Sequence, residues 1–252
     1  MTYPWFLSNY LSIMETRILL QPAYLLHRAP FQNTSLLVDF FTYNYGRVKA
    51  VAKGARRERS KYRSLLQPFH PLLISFSGRG EVKTINGVET GLSAIVLERE
   101  RLFSGLYVNE LLIRLLYNYQ EHTALYKNYQ ETLINLQGSK EIEAVLRRFE
   151  LNFLAELGYA INLEEDFRSH RAIDPKSNYR FTPDMGFELS ETNPRLEESP
   201  HYFSGQHLIA LREFDLRDEA AAKSAKRLLR HALAVHLGEK PINSRELFTG
   251  MV

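Results

Sequence analysis

The sequence predicts an α+β protein in which a small β-rich domain precedes a mainly helical region. Between Arg17 and Gly91, short apolar runs alternate with turns built from glycine, proline and asparagine, a pattern typical of strands. After about residue 92, leucines and aromatic residues recur three or four positions apart, which is the spacing of one helix face. We therefore expect an extension over residues 1–16, a β domain over 17–91 and a helical domain over 92–252.

The β-rich domain contains five short strands. They are RILLQPAYLLH from Arg17, SLLVDFFT from Ser35, RVKAVAKG from Arg47, and two within LQPFHPLLISFSGRGEVKTING. Pro68 and Pro71 predict that the fourth strand begins late or lies at a sheet edge, because proline cannot donate to a ladder. Five strands in one short stretch favour a small barrel, and the oligonucleotide-binding (OB) fold is the obvious five-stranded candidate.

The helical region contains three strong helical patterns, and a glycine ends each of them. The patterns cover residues 109–136, 141–157 and 218–237, and the glycines are Gly138, Gly158 and Gly238. Ser139 is positioned to cap the second helix. Residues 162–204 are polar, contain four prolines and show almost no period, so we expect an irregular insertion or small subdomain there.

A dense run of positive charge, GRVKAVAKGARRERSKYR, extends from Gly46 to Arg63. Its eight basic residues are Arg47, Lys49, Lys53, Arg56, Arg57, Arg59, Lys61 and Arg63, and its one acidic residue is Glu58. The run carries a formal +7 in a chain of net charge +3, so the rest of the chain sums to −4. Such a patch attracts polyanions: nucleic acid, an anionic membrane surface or an acidic protein segment. A solvated loop without a ligand is the alternative.

Aromatic residues lie close to the basic run in the sequence. They are Phe31, Phe40, Phe41, Tyr43, Tyr45, Tyr62, Phe69 and Phe76. Proteins that bind single-stranded nucleic acid combine a basic groove with aromatic faces on which bases stack. We expect about half of these rings to face solvent, because alternate residues of a strand point to opposite faces. The combination predicts that the chain binds a DNA or RNA backbone without reading its sequence.

Enzyme signatures are absent from the sequence. It has no GxxxxGK[ST] phosphate-binding loop and no GxSxG nucleophile elbow. A metal-dependent nuclease would need several carboxylates near the groove, and the basic region offers only Glu58 and Glu81. The chain has no cysteine, which excludes disulfides and thiolate metal sites and favours a reducing cytosol. We expect no cofactor, no metal and no membrane span, since no apolar run approaches about 18 residues.

Several motifs together resemble the RecO family of bacterial recombination mediators. They are GRVKAVAKGARRERSKYRSLLQPFHPLLISFSGRGEVKT, SGLYVNELL, RRFELNFLAELGY, FSG, AKRLLRHAL and SRELF, in this order over nearly the whole chain. The resemblance implies an OB barrel and a helical carboxyl-terminal domain that bind single- and double-stranded DNA and anneal complementary strands. It also implies that the protein acts with RecR to help load RecA onto strands coated by single-strand-binding protein. This work needs no nucleotide cofactor and takes place in the bacterial cytoplasm, at the nucleoid during repair.

An RNA-binding OB-fold chaperone or a translation-associated protein is the alternative to this DNA function. Such a protein would show the same basic surface and the same salt dependence. Discrimination between the two would have to come from contacts to the 2′-hydroxyl group.

The resemblance also implies candidate binding residues. Arg47, Lys49, Lys53, Arg56 and Arg57 match the family's DNA-contacting segment, Arg59, Lys61 and Arg63 continue it, and Arg79 and Lys83 lie in the matching GRGEVK strand pair. The acidic, apolar tail of single-strand-binding protein needs cations beside an apolar pocket. For that site we expect Arg147, Arg148, Lys226, Arg227 and Arg230. Many members carry a four-cysteine zinc module, but residues 162–204 have no cysteine, so we expect other packing to order this subdomain.

Overall fold

The computed structural model describes residues 17–138, 141–191 and 199–245. These residues form two compact units: 17–138 with 242–245, and 141–191 with 199–241. The predicted extension over residues 1–16 and the predicted cap at Ser139 lie outside the described residues.

The first unit contains a closed barrel of five strands. The strands are β1 (Arg17–Phe31), β2 (Ser35–Thr42), β3 (Gly46–Ala52), β4 (Pro71–Ser77) and β5 (Lys83–Thr90), in the order β1-β2-β3-β5-β4. All neighbours are antiparallel except β3 and β5, which run parallel with Ala50 beside Lys83. The predicted five-stranded OB-like barrel is confirmed. Pro71 is the first residue of β4, which pairs with both β1 and β5, so the late start is confirmed and the edge position is wrong.

The interior of the barrel is filled by alternate residues of each strand. On β3, Val48, Ala50 and Ala52 are fully buried, while residues 47, 49 and 51 face outward. A short helix, α1 (Tyr62–Leu65), follows β3, and Leu66 directly after it is buried in the same core. The small alanines of β3 leave room for large neighbours such as Phe40 and Phe76.

Two further helices pack on the outside of the barrel. They are α2 (Glu100–Leu115) and α3 (Thr123–Gln137). Tyr24 of β1 meets Tyr129 of α3 edge to face, with ring centroids 5.2 Å apart, and Phe41 of β2 lies 5.5 Å from Tyr126. The Asn109 side chain donates to the Leu26 carbonyl oxygen at 3.1 Å. These contacts bury the outer face of β1 and β2 as well as their inner face.

The continuous helical pattern predicted over residues 109–136 is wrong, because the helix breaks at residues 116–122. Leu116 leaves the helix in an extended conformation, and Tyr119 takes a left-handed φ of 61°. The connection pairs instead with the barrel: Asn118 bridges Gly46, and the Tyr119 backbone N–H donates to the Arg47 carbonyl oxygen at 3.0 Å. The helical spacing of apolar residues continues across the break in the sequence, because Tyr119 stands at one of the expected positions although it packs on the barrel core.

The second unit combines three helices with a small sheet. Its elements are α4 (Ile142–Glu156), β6 (Asn178–Thr182), β7 (Gly186–Leu189), β8 (Tyr202–Ser204), α5 (Gly205–Arg212) and α6 (Glu219–Leu237). The strands form an antiparallel sheet in the order β7-β6-β8. Residues 162–204 were expected to be irregular. The sheet corrects that expectation, since strands of three to five residues are too short to show a period.

A cluster of aromatic rings and one buried carboxylate hold this small sheet. Phe181, Phe187 and Phe203 are buried and lie 5.1–6.3 Å apart between ring centroids. The Asp166 carboxylate accepts the backbone N–H groups of Arg168 and Ser169, each at 2.7 Å, and that of Leu189. Burial by itself raises the pKa of Asp166, but these hydrogen bonds outweigh it and hold the pKa below its ordinary value. A fixed negative charge thus organises the backbone of this subdomain.

Side-chain carboxylates hold one helix start and one distant segment of the chain. Asp218 caps α6 by accepting the Ala221 backbone N–H at 2.8 Å. In the first unit, the Glu110 side chain of α2 accepts the N–H groups of Asn243 and Ser244, each at 2.8 Å. Among the helices described here, none is both long and apolar enough to cross a membrane.

Candidate nucleic-acid interface

The strongest cationic feature of the first unit is the basic loop, which we define as residues 53–63 between β3 and the first turn of α1. Six of the predicted site residues lie in it with exposed side chains: Lys53, Arg56, Arg57, Arg59, Lys61 and Arg63. Glu58 is its one acid and is exposed as well. Lys49 lies nearby on the outer face of β3 and is half-buried. The structure therefore brings seven of the ten predicted DNA-binding residues to one region of the barrel.

The backbone of the basic loop is held although its charged groups extend into solvent. The Arg56 backbone N–H donates to the Thr34 carbonyl oxygen at 2.8 Å, and the Arg56 guanidinium reaches the Gln32 carbonyl oxygen at 3.3 Å. Ala55 precedes Arg56 and is buried in the barrel core, and Tyr62, near the end of the loop, packs against the same core. Cations on a fixed backbone lose less conformational entropy when they bind phosphates than cations on a free loop do.

Arg28 of β1 joins this region and was missed by the sequence analysis. Its guanidinium donates to the Leu66 carbonyl oxygen at 2.7 Å and to the Gln67 side-chain oxygen at 3.3 Å, directly after α1. The residue itself is exposed. A single arginine far from the charge run carries no sequence signal of its own, and only the pairing of β1 with its neighbours brings it there.

Arg47 occupies a different environment from the basic loop. Its guanidinium donates to the Asp39 carboxylate at 2.8 and 3.0 Å, and to the carbonyl oxygens of Ile113 and Leu116 at the end of α2. The side chains of Arg47 and Asp39 are only 14% and 7% exposed. A cation at the last carbonyls of a helix complements its dipole. Arg47 thus attaches α2 to the barrel, and its assignment to DNA contact stays a prediction.

Lys83 is also buried, whereas Arg79 is exposed. The Lys83 ammonium donates to the Gly78 carbonyl oxygen at 2.9 Å and lies 4.8 Å from the centre of the Tyr119 ring. Burial lowers the pKa of Lys83. Because β5 runs parallel to β3, the loop before Lys83 lies towards the Gly46 end of β3, whereas the basic loop begins at the Ala52 end. β5 begins beside Ala50, two residues before the end of β3, and Arg79 lies in the turn that precedes it, outside the basic loop.

The predicted aromatic residues divide evenly between buried and partly exposed. Phe40, Phe41, Phe69 and Phe76 are buried, and Phe31, Tyr43, Tyr45 and Tyr62 are partly exposed. Tyr62 lies within the basic loop, with the Lys61 ammonium 5.9 Å from its ring centre. Phe41 and Tyr43 instead contact Tyr126 of α3, so the helices occupy the faces of these rings.

The five cations predicted to bind an acidic tail lie on α4 and α6, but their surroundings differ. Arg147 is buried and pairs with Glu150 at 3.0 Å and with Glu143 at 3.8 Å. The Lys226 ammonium lies 2.6 Å from the other oxygen of Glu143. Acidic side chains therefore already neutralise two of the predicted cations.

The other three predicted cations are Arg148, Arg227 and Arg230. The Arg148 guanidinium lies 4.1 Å from the centre of the Phe214 ring, and the residue is exposed. Arg227 donates to the Tyr202 carbonyl oxygen at 2.8 Å and lies over Phe203, and burial lowers the pKa of its guanidinium. Arg230 is exposed. The arrangement leaves Arg148 and Arg230 as the cations most open to a partner.

Several clefts open on the second unit. One, of about 300 Å³, is mainly apolar and is lined by Leu154, Tyr159, Phe181 and Met185, with His236 and Asp184 3.8 Å apart at its edge. Another, of about 660 Å³, is lined mostly by polar and charged residues, including Arg227. In the part of the chain that the structure covers, no three histidine, aspartate or glutamate side chains gather to hold a metal ion.

The chain is similar to known proteins along most of its length. The family model described as "Recombination protein O N terminal" matches residues 14–93, and that described as "Recombination protein O C terminal" matches residues 97–246. Together the two matches cover most of the chain. This chain belongs to the RecO family.

Curated relatives agree with this assignment over nearly their whole length. The chain is 43% identical to a protein of Coxiella burnetii (strain RSA 331 / Henzerling II), over 93% of the chain and 99% of the relative. It is 39% identical to a protein of Glaesserella parasuis and 40% identical to one of Haemophilus influenzae, over 92% and 91% of the chain and 95% of each relative. All three are named "DNA repair protein RecO". The RecO resemblance of the sequence motifs is confirmed.

Proposed function

We propose that this RecO-family DNA repair protein binds single- and double-stranded DNA through the basic loop and anneals complementary strands. We also propose that it acts with RecR in the bacterial cytoplasm, at the nucleoid during repair, to help load RecA onto strands coated by single-strand-binding protein. The observation that carries the DNA-binding proposal is the basic loop: six exposed cations on a backbone that hydrogen bonds and core contacts hold in place. Family membership supports the repair function and does not favour an RNA chaperone.

Annealing by such a surface has a simple physical basis. Two complementary strands repel each other through their phosphates, and a fixed array of cations screens that repulsion. Strands held on the same protein also reach a high effective concentration, so they pair faster without any bond being made. The proposed work therefore needs no nucleotide cofactor and no catalytic residue.

The same surface predicts how binding depends on salt. If the basic loop neutralises four to six phosphates of a single strand, log affinity falls with log salt at a slope of about −3 to −4. Fluorescence anisotropy of a labelled oligonucleotide over a salt series measures this slope. A flat salt response would contradict the proposal.

The decisive experiment is annealing of two complementary oligonucleotides that are each coated with single-strand-binding protein. The test variant replaces Lys53, Arg56, Arg57 and Arg59 by glutamine. The matched control replaces four exposed cations of the second unit, Arg171, Lys176, Arg180 and Lys240, by glutamine. We expect annealing by the wild type and the control but not by the test variant. Equal annealing by all three would place the DNA site outside the basic loop, and competition with RNA of the same sequence tests the RNA alternative.

For the tail of single-strand-binding protein we propose contacts to Arg148 and Arg230 in the second unit. Both are exposed, and Phe214 beneath Arg148 supplies an apolar surface next to a cation. Changing Arg148 and Arg230 to glutamine should weaken binding of a tail peptide. Changing Arg171 and Lys176 should not, and unchanged peptide affinity in the first variant would reject this assignment.

A further inference from the structure

The helices α2 and α3 cover the part of the barrel on which an OB fold offers stacking rings. An OB fold binds oligonucleotides on the face of its second and third strands and on the loops at its edges. In this chain Phe41 of β2 is fully buried under Tyr126 and Tyr129, and Asp39 beside it is engaged by Arg47. Because the helices cover it, Phe41 cannot stack on a base at the Gly46 end of β3.

The connection between α2 and α3 lies at the same end of the barrel and is held tightly there. Asn118 bridges Gly46, and the Tyr119 backbone donates to the Arg47 carbonyl oxygen. Gly46 has a left-handed φ of 57°, and a Cβ at that position would overlap the Gln120 carbonyl oxygen. The absence of a side chain at Gly46 thus allows the connection to lie directly on the barrel.

The same connection reaches the loop between β4 and β5. The Tyr119 hydroxyl donates to the Glu81 carbonyl oxygen, and the Tyr119 ring lies beneath the Lys83 ammonium. Burial is the main cause that raises the pKa of Tyr119, so this phenol stays neutral and keeps donating throughout the physiological range. The β4–β5 loop is one of the edge loops that contact oligonucleotides in OB folds.

Tyr117 projects from this fixed connection into solvent. The residue is 80% exposed, the highest value among the large apolar residues that the structure describes as exposed. It lies two positions before Tyr119, whose hydroxyl donates to the Glu81 carbonyl oxygen in the β4–β5 loop, which also carries Arg79. Arg79 and Glu81 leave that loop with little net charge. The group that this end of the barrel offers to an oligonucleotide is therefore the Tyr117 ring rather than a cation.

We propose that Tyr117 is a base-stacking residue for unpaired DNA bases. This inference rests on the proposed DNA-binding function and extends it from phosphates to bases. The basic loop and the Gly46 end lie at opposite ends of β3, so a strand bound at the basic loop has to extend about 20 Å, past the half-buried Lys49, to reach the Gly46 end. There an unpaired base can lie on the Tyr117 ring, whereas the bases of a duplex are already stacked on each other and cannot.

The experiment compares three ligands: an oligothymidylate, an abasic oligomer of the same length, and a DNA duplex. Stacking of one base on one aromatic ring accounts for about 5- to 150-fold in affinity. We expect Tyr117→Ala to weaken oligothymidylate binding within this range, and Tyr117→Phe to retain it, because the ring and not the hydroxyl stacks. Binding of the abasic oligomer and the duplex should not change, and neither should the salt slope, since no phosphate contact is lost.

Tyr159→Ala is the matched control, because Tyr159 is a partly exposed tyrosine of the second unit. It should bind all three ligands like the wild type. If Tyr117→Ala binds oligothymidylate as tightly as the wild type, or loses the abasic oligomer equally, the stacking role is overturned while DNA binding stands. If the wild type binds none of the three ligands, the proposed function fails and the stacking role fails with it.

Discussion

Substitution of Arg47 separates a structural role from a DNA-contacting role, because the two make opposite predictions. Arg47→Met leaves the Asp39 carboxylate, which is only 7% exposed, without its cation, and leaves the carbonyl oxygens of Ile113 and Leu116 without that donor. Removing one partner of a buried ion pair costs about 3–5 kcal/mol, and partial exposure of Arg47 places the expected loss near the lower end, at about 3 kcal/mol. For a unit of this size that corresponds to a decrease of about 6–12 °C in melting temperature.

A double substitution tests whether Asp39 is the cause of this loss. Arg47→Met combined with Asp39→Leu removes both charges and leaves no unpaired carboxylate. Replacing a buried pair by apolar residues is often neutral, so the double variant should recover the part of the loss that comes from Asp39 and keep only the part that comes from the Ile113 and Leu116 carbonyl oxygens. Urea unfolding followed by circular dichroism measures all three proteins.

DNA binding completes the comparison, with Arg57→Met as the exposed control. We expect Arg57→Met to change the free energy of unfolding by less than about 0.5 kcal/mol and to reduce the salt slope for single-stranded DNA by about 0.7. Arg47→Met should do the reverse: it destabilises the fold and leaves the slope unchanged at temperatures where it is folded. If Arg47→Met unfolds like the wild type and its salt slope falls by about 0.7, the structural reasoning for Arg47 is refuted.

Two further predictions follow from backbone geometry and from titration. Gly46→Ala should destabilise the first unit by more than about 1 kcal/mol, because its φ is 57° and a Cβ would overlap the Gln120 carbonyl oxygen. Gly80→Ala is the control: its Cβ would meet no neighbouring atom, so its effect on stability should be nearly neutral. Equal melting temperatures for the two variants would contradict this prediction. Asp166→Asn should cost about 1–3 kcal/mol by leaving backbone donors poorly paired. Because the folded-state pKa of Asp166 lies below its ordinary value of 3.8, its stabilising contribution is complete above that value and is lost as pH falls through the lower folded value. The stabilities of the wild type and Asp166→Asn should therefore begin to approach each other as pH falls below about 4, and a constant difference at all pH values would exclude this charge effect.

The strands of the barrel and the basic loop could be predicted from the sequence because both are local features. Val48, Ala50 and Ala52 alternate with Arg47, Lys49 and Val51, and this alternation predicts a strand with one small apolar face and one largely basic face. The cations of the basic loop are close together along the chain, and only Ala55 and Tyr62 interrupt them with apolar side chains, so their exposure together follows from their density. The RecO motifs extend over both units and were recognisable for the same reason.

The tertiary structure decided which of these residues remain open to a ligand. Alternation placed Arg47 on the outer face of β3, but only the packing of α2 on that face converts it into a buried partner of Asp39. In the same way, Gly46 and Gln120 are distant in sequence, and their close approach ends the helical pattern and leaves Tyr117 exposed. Arg28 reaches the residues that follow α1, and Asp166 reaches β7, through contacts between segments that no local pattern connects. Local periodicity determines which face of an element is apolar, whereas solvent access depends on what packs against the other face, and that is set by the whole fold.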